Sequence, residues 1–114
     1  MELSLARIII FTADLARLAA FYREVIGLAV IRTEPGWIEF DAGACAIALH
    51  EGRSSVGNRP PKLVFHARDV AAARALLIKR GAGKMGPVKS TASFDMCDGR
   101  DPDGNPFQLS SRAP

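Results

Sequence analysis

No uncharged apolar stretch in the 114 residues approaches the roughly 18–20 that a membrane span requires, so no membrane partner is expected. Cysteine is scarce: Cys45 and Cys97 sit in apolar or alternating segments, and residues 1–12 show no charged region, long apolar run and cleavage site in order. Both are read as reduced thiols of a cytoplasmic protein. Basic runs are missing as well. The fifteen Lys and Arg give a net charge of +3, but they are scattered from Arg7 to Arg112 without the clusters that track phosphate backbones, which argues against nucleic acid. A Gly-rich phosphate loop, a nucleophile elbow and paired cysteines are also absent. The chain does have apolar residues, 48% of the total, enough to bury a core without disulfides or metals in a single domain over 1–114.

Their pattern is strand, then helix, then strands. LARIIIF (5–11) is apolar and β-branched, and Asp14 stands where a side chain can cap a helix that Gly27 would end. Leu15, Leu18, Ala19, Tyr22, Val25 and Ile26 fall on one helical stripe. LAVIRTE (28–34), WIEFDA (37–42) and CAIALHE (45–51) follow as short strands punctuated by Pro35-Gly36 and Gly43-Ala44. After a Gly/Ser/Pro-rich linker over 53–61 the order repeats: strand, Asp69 cap, Ala/Leu-rich helix, Gly81 stop, then KMGPVKS, TASFDMCD and NPFQLSS. Asp69 follows Asp14 by 55 residues and Gly81 follows Gly27 by 54. The expectation is an α+β fold of two tandem βαβββ modules, about 1–52 and 62–114, whose sheets curve around a common cleft.

Period-2 alternation then sorts the strand residues by face. Ile8 and Ile10 are assigned to the helix side, and Arg7, Ile9 and Phe11 to the cleft. Ile47 and Leu49 pack, leaving Ala48 and His50 in the cleft. Trp37 and Glu39 share one face of WIEF. The continuous run Leu63-Val64-Phe65 leaves parity open, and matching it to the first half assigns Leu63 and Phe65 to the cleft and His66 to the helix side. In the last strand Phe107 and Leu109 pack while Gln108 and Ser110 look inward.

With its duplicated βαβββ halves, the spacing Asp14…Phe21-Tyr22…Gly27-Leu28, and DPDGN (101–105) before the last strand, nearly the whole chain resembles the vicinal oxygen chelate superfamily, which includes glyoxalase I, extradiol dioxygenases, and fosfomycin and bleomycin resistance proteins. The resemblance implies a glyoxalase-like fold, commonly homodimeric, in which metal-dependent members offer two ligands per half. Carried over by position, those ligands fall at Arg7, Ala48, Leu63 and Gln108. Only Gln108 could ligate, because Arg is a permanent cation and Ala and Leu offer no lone pair.

Each candidate has two readings. Arg7 is either an anchor for a ligand anion or half of an internal ion pair. His50 is a base or hydrogen-bond donor, or a solvated strand-end residue. Trp37 beside Glu39 lines a cleft for an aromatic or cationic ligand, or caps a sheet edge. DPDGN departs from a calcium loop at Pro106 and Arg112, and is better explained as a tight turn with Gly104 free to take positive φ and Asp103 making the side-chain bond. The expectation is a metal- and cofactor-independent binder of a small organic molecule, using Arg7, Phe11, Trp37, Glu39, Ala48, His50, Leu63, Phe65 and Gln108. The alternative is a glyoxalase-like lyase, isomerase or dioxygenase with an altered metal site.

Overall fold

In the computed structural model, which describes residues 1–114, the chain divides into two compact units, Met1–Ser55 and Val56–Pro114. Each has the strand, helix and three-strand order that the repeat predicts, with one helix against one face of a four-stranded mixed sheet. No helix is long and apolar enough to cross a membrane.

The first module contains β1 (Arg7–Thr12), α1 (Leu15–Ala20), β2 (Ala29–Glu34), β3 (Trp37–Asp41) and β4 (Ala46–Glu51), in sheet order β1-β4-β3-β2. Asp14 caps α1 by accepting the Arg17 N–H at 3.1 Å. The predicted single helix changes character midway. Phe21–Ile26 form π-helical turns that end at Gly27 with φ +90°, where both the Gly27 and Leu28 N–H groups donate to the Tyr22 carbonyl. The neighbours Phe21 and Tyr22 are both buried, and Tyr22 lies against Phe40 on the sheet. β1 pairs in parallel with β4, and β4 antiparallel with β3, so that Ile8, Ile47 and Phe40 form one cross-strand row on the helix face.

The second module contains β5 (Leu63–His66), α2 (Val70–Lys79), β6 (Met85–Ser90), β7 (Asp95–Arg100) and β8 (Pro106–Ser110), in the corresponding order β5-β8-β7-β6. Asp69 caps α2 through the Ala72 N–H, and Gly81 takes φ +110° after it. The row equivalent to Ile8, Ile47 and Phe40 is Leu63, Phe107 and Gly99. β7 starts later than TASFDMCD suggests, because the Thr91 hydroxyl accepts the Ser93 and Phe94 N–H groups and holds 91–94 in a turn.

That register corrects one expectation. Leu63 and Phe65 pair with the buried Phe107 and Leu109 on the helix side, and the Phe65 ring meets Phe107 at 6.4 Å. Val64 and His66 therefore take the other face, beside Gln108 and Ser110. The DPDGN turn is corrected as well. Asp101 rather than Asp103 is its hub: one carboxylate oxygen accepts the Asp103 and Asn105 N–H groups, and the other accepts the Asn105 side-chain amide. Gly104 takes φ +89° as expected. In both modules the outermost strand carries a bulge, between Val30 and Arg32 in β2 and between Met85 and Val88 in β6.

Candidate functional site

In the first module the sheet face turned away from α1 gathers most of the predicted residues. Cross-strand register puts Phe11, His50 and Trp37 in one row, and Ile9, Ala48, Glu39 and Arg32 in the next. Phe11 and Trp37 both meet the His50 ring, at 5.2 and 5.6 Å between centroids, so an imidazole stands between two larger rings.

Glu39 is the electrostatic centre of this face. Its side chain is 3% exposed, and three donors converge on its carboxylate: Arg7 Nε at 3.2 Å, Trp37 Nε1 at 3.1 Å and Arg32 Nη1 at 3.4 Å. Burial by itself would raise its pKa. The hydrogen bonds from Arg7 and Trp37 and the charges of Arg7 and Arg32 outweigh burial, holding the group below its ordinary value of 4.5. A carboxylate so held is a fixed anion and a poor proton acceptor near neutral pH.

The two readings of Arg7 merge here. It is paired internally to Glu39, yet its side chain remains 39% exposed, so its outer edge can still meet a ligand anion. Ala48 makes the pair possible. It is fully buried and lies between β1 and β3 in the register, and its single methyl leaves room for Arg7 to reach across to Glu39.

The second module repeats this plan with other side chains. Val64, Gln108 and Asp98 occupy the row equivalent to Ile9, Ala48 and Glu39. Asp98 accepts Lys62 Nζ and Gln108 Nε2, each at 3.0 Å. The hydrogen bond from Gln108, followed by that from Lys62, keeps Asp98 below its ordinary value of 3.8 against a smaller opposing effect of burial. Gln108 thus serves as a donor to a carboxylate within its own sheet. Lys62, which follows Arg7 by 55 residues, is the counterpart that the sequence reading missed, along with Arg32, Val64, Met96 and Asp98. The repeat offset was the signal that could have found Lys62 and Val64. Beside Gln108 lies a hollow of about 440 Å³ whose walls include Val64, His66, Phe94, Met96 and Ser110.

Cys97 lies on the opposite, helix-facing side of β7, buried, its thiol donating to the Gly86 carbonyl at 3.2 Å. Burial pushes that thiol up, and Arg74 of α2 only partly offsets it, so Cys97 is a poor nucleophile. Both cysteines are free.

The superfamily's metal can be tested against these side chains. By register and the 55-residue offset, the equivalent positions offer Arg7 and Ala48 in one module and Lys62, in place of the expected Leu63, and Gln108 in the other. A guanidinium, an ammonium and a methyl group supply no lone pair, and Gln108, whose amide nitrogen donates to Asp98, leaves its oxygen as the single possible ligand among the four. Nowhere do three His, Cys, Asp or Glu side chains gather where they could hold an ion. The residues present do not fit the group.

Comparison with known proteins agrees with the fold. A family model described as a glyoxalase-like domain matches residues 7–110. Among solved structures, a glyoxalase/bleomycin resistance protein/dioxygenase family enzyme from Burkholderia phytofirmans PsJN is 21% identical, covering 95% of this chain and 98% of its own, with a TM-score of 0.78. TnmS3, an antibiotic binding protein from Streptomyces sp. CB03234, is 24% identical over 96% of both chains, with a TM-score of 0.79. The fosfomycin resistance protein FosX from Mesorhizobium loti is 18% identical, covering 99% of this chain and 95% of its own, also at 0.79. No curated protein matches the sequence significantly.

Proposed function

The chain belongs to the glyoxalase-like domain family of the vicinal oxygen chelate superfamily, and on that premise we propose that it binds a small organic molecule on its open sheet faces without a metal ion. The observation that carries the reading is the identity of the side chains at the ligand positions, Arg7, Ala48, Lys62 and Gln108. On the first module the rings of Phe11, His50 and Trp37 supply a surface for a flat apolar body. The outward edges of Arg7 and Arg32 supply donors for an anionic or carbonyl substituent. That TnmS3 is an antibiotic binding protein favours a binder over a catalyst as the starting hypothesis. The three donors on Glu39 favour the same choice, since the enzyme alternative, in which His50, Glu39 and Gln108 make an altered site, would need that carboxylate free.

Trp37 is the only tryptophan, so its emission reports on this face alone. Titrating a panel of aromatic carboxylates and aromatic antibiotics against that emission should find a saturable quencher, and Arg7→Ala should weaken it about tenfold through loss of a charge-assisted contact. Metal analysis of protein purified without chelator accompanies the titration. Stoichiometric nickel, zinc, manganese or iron lost on replacing Gln108 would overturn the metal-independent reading.

The proposal includes a homodimeric, cytoplasmic protein. Each sheet has two edge strands to protect, and Ile9, Phe11 and Ile31 are apolar side chains about half exposed. Sedimentation that found only monomer at micromolar concentration would remove the dimer.

A further inference from the structure

The second module has a separate concavity at the Lys62 end of its sheet, about 440 Å³ in volume and crossed by all four of the strands or their immediate ends. Its charged residues are Lys62, Lys84, Arg100 and Asp98, three cations against one carboxylate. Asp98 is already held by Lys62 and Gln108, which leaves Lys84 and Arg100 with no carboxylate partner. Arg100 is fixed in place, because one arm of its guanidinium donates to the Gly104 carbonyl at 2.8 Å while the rest of the fork remains available.

Two carbonyls in the wall that would repel an anion are engaged. The Gly86 carbonyl accepts Arg74 Nε at 2.7 Å and the Cys97 thiol, and the Lys84 carbonyl accepts the Arg100 backbone N–H at 3.0 Å. The fold itself does not demand this surplus of positive charge. At the position of Arg100 the first module carries Asp41, whose carboxylate accepts the Gly43 N–H at 2.8 Å.

We propose that this cup is a binding site for a small dianionic head group, a phosphate monoester or a dicarboxylate, held between Lys84 and Arg100 with Lys62 at its border. None of these three residues belongs to the ligand surface inferred for the first module, so the two readings stand or fall separately.

The test uses the full chain labelled with ¹⁵N and titrated with inorganic phosphate, malonate or sodium chloride at matched ionic strength. Saturable shifts of the Gly83, Gly86 and Gly99 amides by phosphate or malonate, beyond those from chloride, are the expected result. The tighter of the two dianions names the head group. Lys84→Gln should weaken binding about tenfold, the loss of one charge-assisted contact. Gly83→Asp should abolish it, because a side chain there meets nothing within 4 Å and places a carboxylate at the cup without a clash. Gly83→Ala should bind as the parent does. Shifts equal to those from chloride, or binding indifferent to Gly83→Asp in a folded variant, would overturn the site. Trp37 emission in the first module is followed in the same samples, so failure of the cup and failure of the aromatic surface are read apart.

Discussion

At the same crossing of third and fourth strand, the first module packs Phe40 against Ile47 and the second packs Gly99 against Phe107. The large ring has changed strands, and each half fills its helix face in its own way. On the opposite face the two halves keep a common charge plan. A cation at the start of the first strand meets a carboxylate on the third, Arg7 with Glu39 and Lys62 with Asp98. What differs is the residue between them. Ala48 lies low enough for Arg7 to pass over it, whereas Gln108 joins the pair and shares the carboxylate with Lys62. A repeated backbone therefore fixes where charges meet, while the volume of one intervening side chain decides how many partners they have. The rest of each face follows its own chemistry: rings in the first module, and in the second a cationic Lys62 end with Val64, Phe94 and Met96 around the hollow beside Gln108.

The exchanged core pair gives the largest expected effect. Phe107→Ala should destabilise the protein by about 3–5 kcal/mol in urea unfolding, since the ring is fully buried. Gly99→Ala should cost about 1–3 kcal/mol by overpacking, because the added carbon would lie 2.6 Å from the Phe107 ring. Adding Phe107→Leu to Gly99→Ala should recover part of that loss, and strict additivity would break the claim that the pair is coupled.

The carboxylates separate the modules more finely. Both Glu39 and Asp98 have folded-state pKa values below their ordinary 4.5 and 3.8. Each therefore contributes stability that is present above its unfolded value and lost as the pH falls through its folded one. Urea unfolding across this acid range should show a shallower loss for Glu39→Gln than for the parent. An unchanged slope would mean that Arg7, Arg32 and Trp37 do not hold the ionised form.

The smallest effect is local. Gln108→Ala should raise the Asp98 pKa toward 3.8, because Gln108 is the leading cause of its depression; carboxyl NMR titration reads the change. Glu39 in the same sample should titrate as before.

Much of this comparison was legible in the sequence. The two Asp caps, the glycine stops and the order of strands followed from residue types with few conformational alternatives. Alternation assigned Arg7, Phe11, Ala48 and His50 to one face of the first module and put Trp37 and Glu39 on a shared face, and register and ring contacts bring the six together. In β5 the signal failed because Leu63, Val64 and Phe65 are all apolar, and Leu63 and Phe65 belong to the helix side. The offset of 55 residues, applied strictly, carries Arg7 to Lys62 and Ile9 to Val64, and the correct face with them. The π-helical turns were illegible, since the apolar stripe of an α-helix and the buried set of the wider turn share most of their members. The pairs Arg7–Glu39 and Lys62–Asp98 depend on reach across three strands, which alternation does not encode.

The bulges in β2 and β6 have a consequence for the crowded chain. Each interrupts the outermost rail of amide and carbonyl groups, and in β6 the interruption includes Pro87, which has no N–H to offer. A stray extended peptide that began to zip along either border would lose register within a few residues, so these borders are poor seeds for fibres even though Ile31 and Val88 stand in the open there.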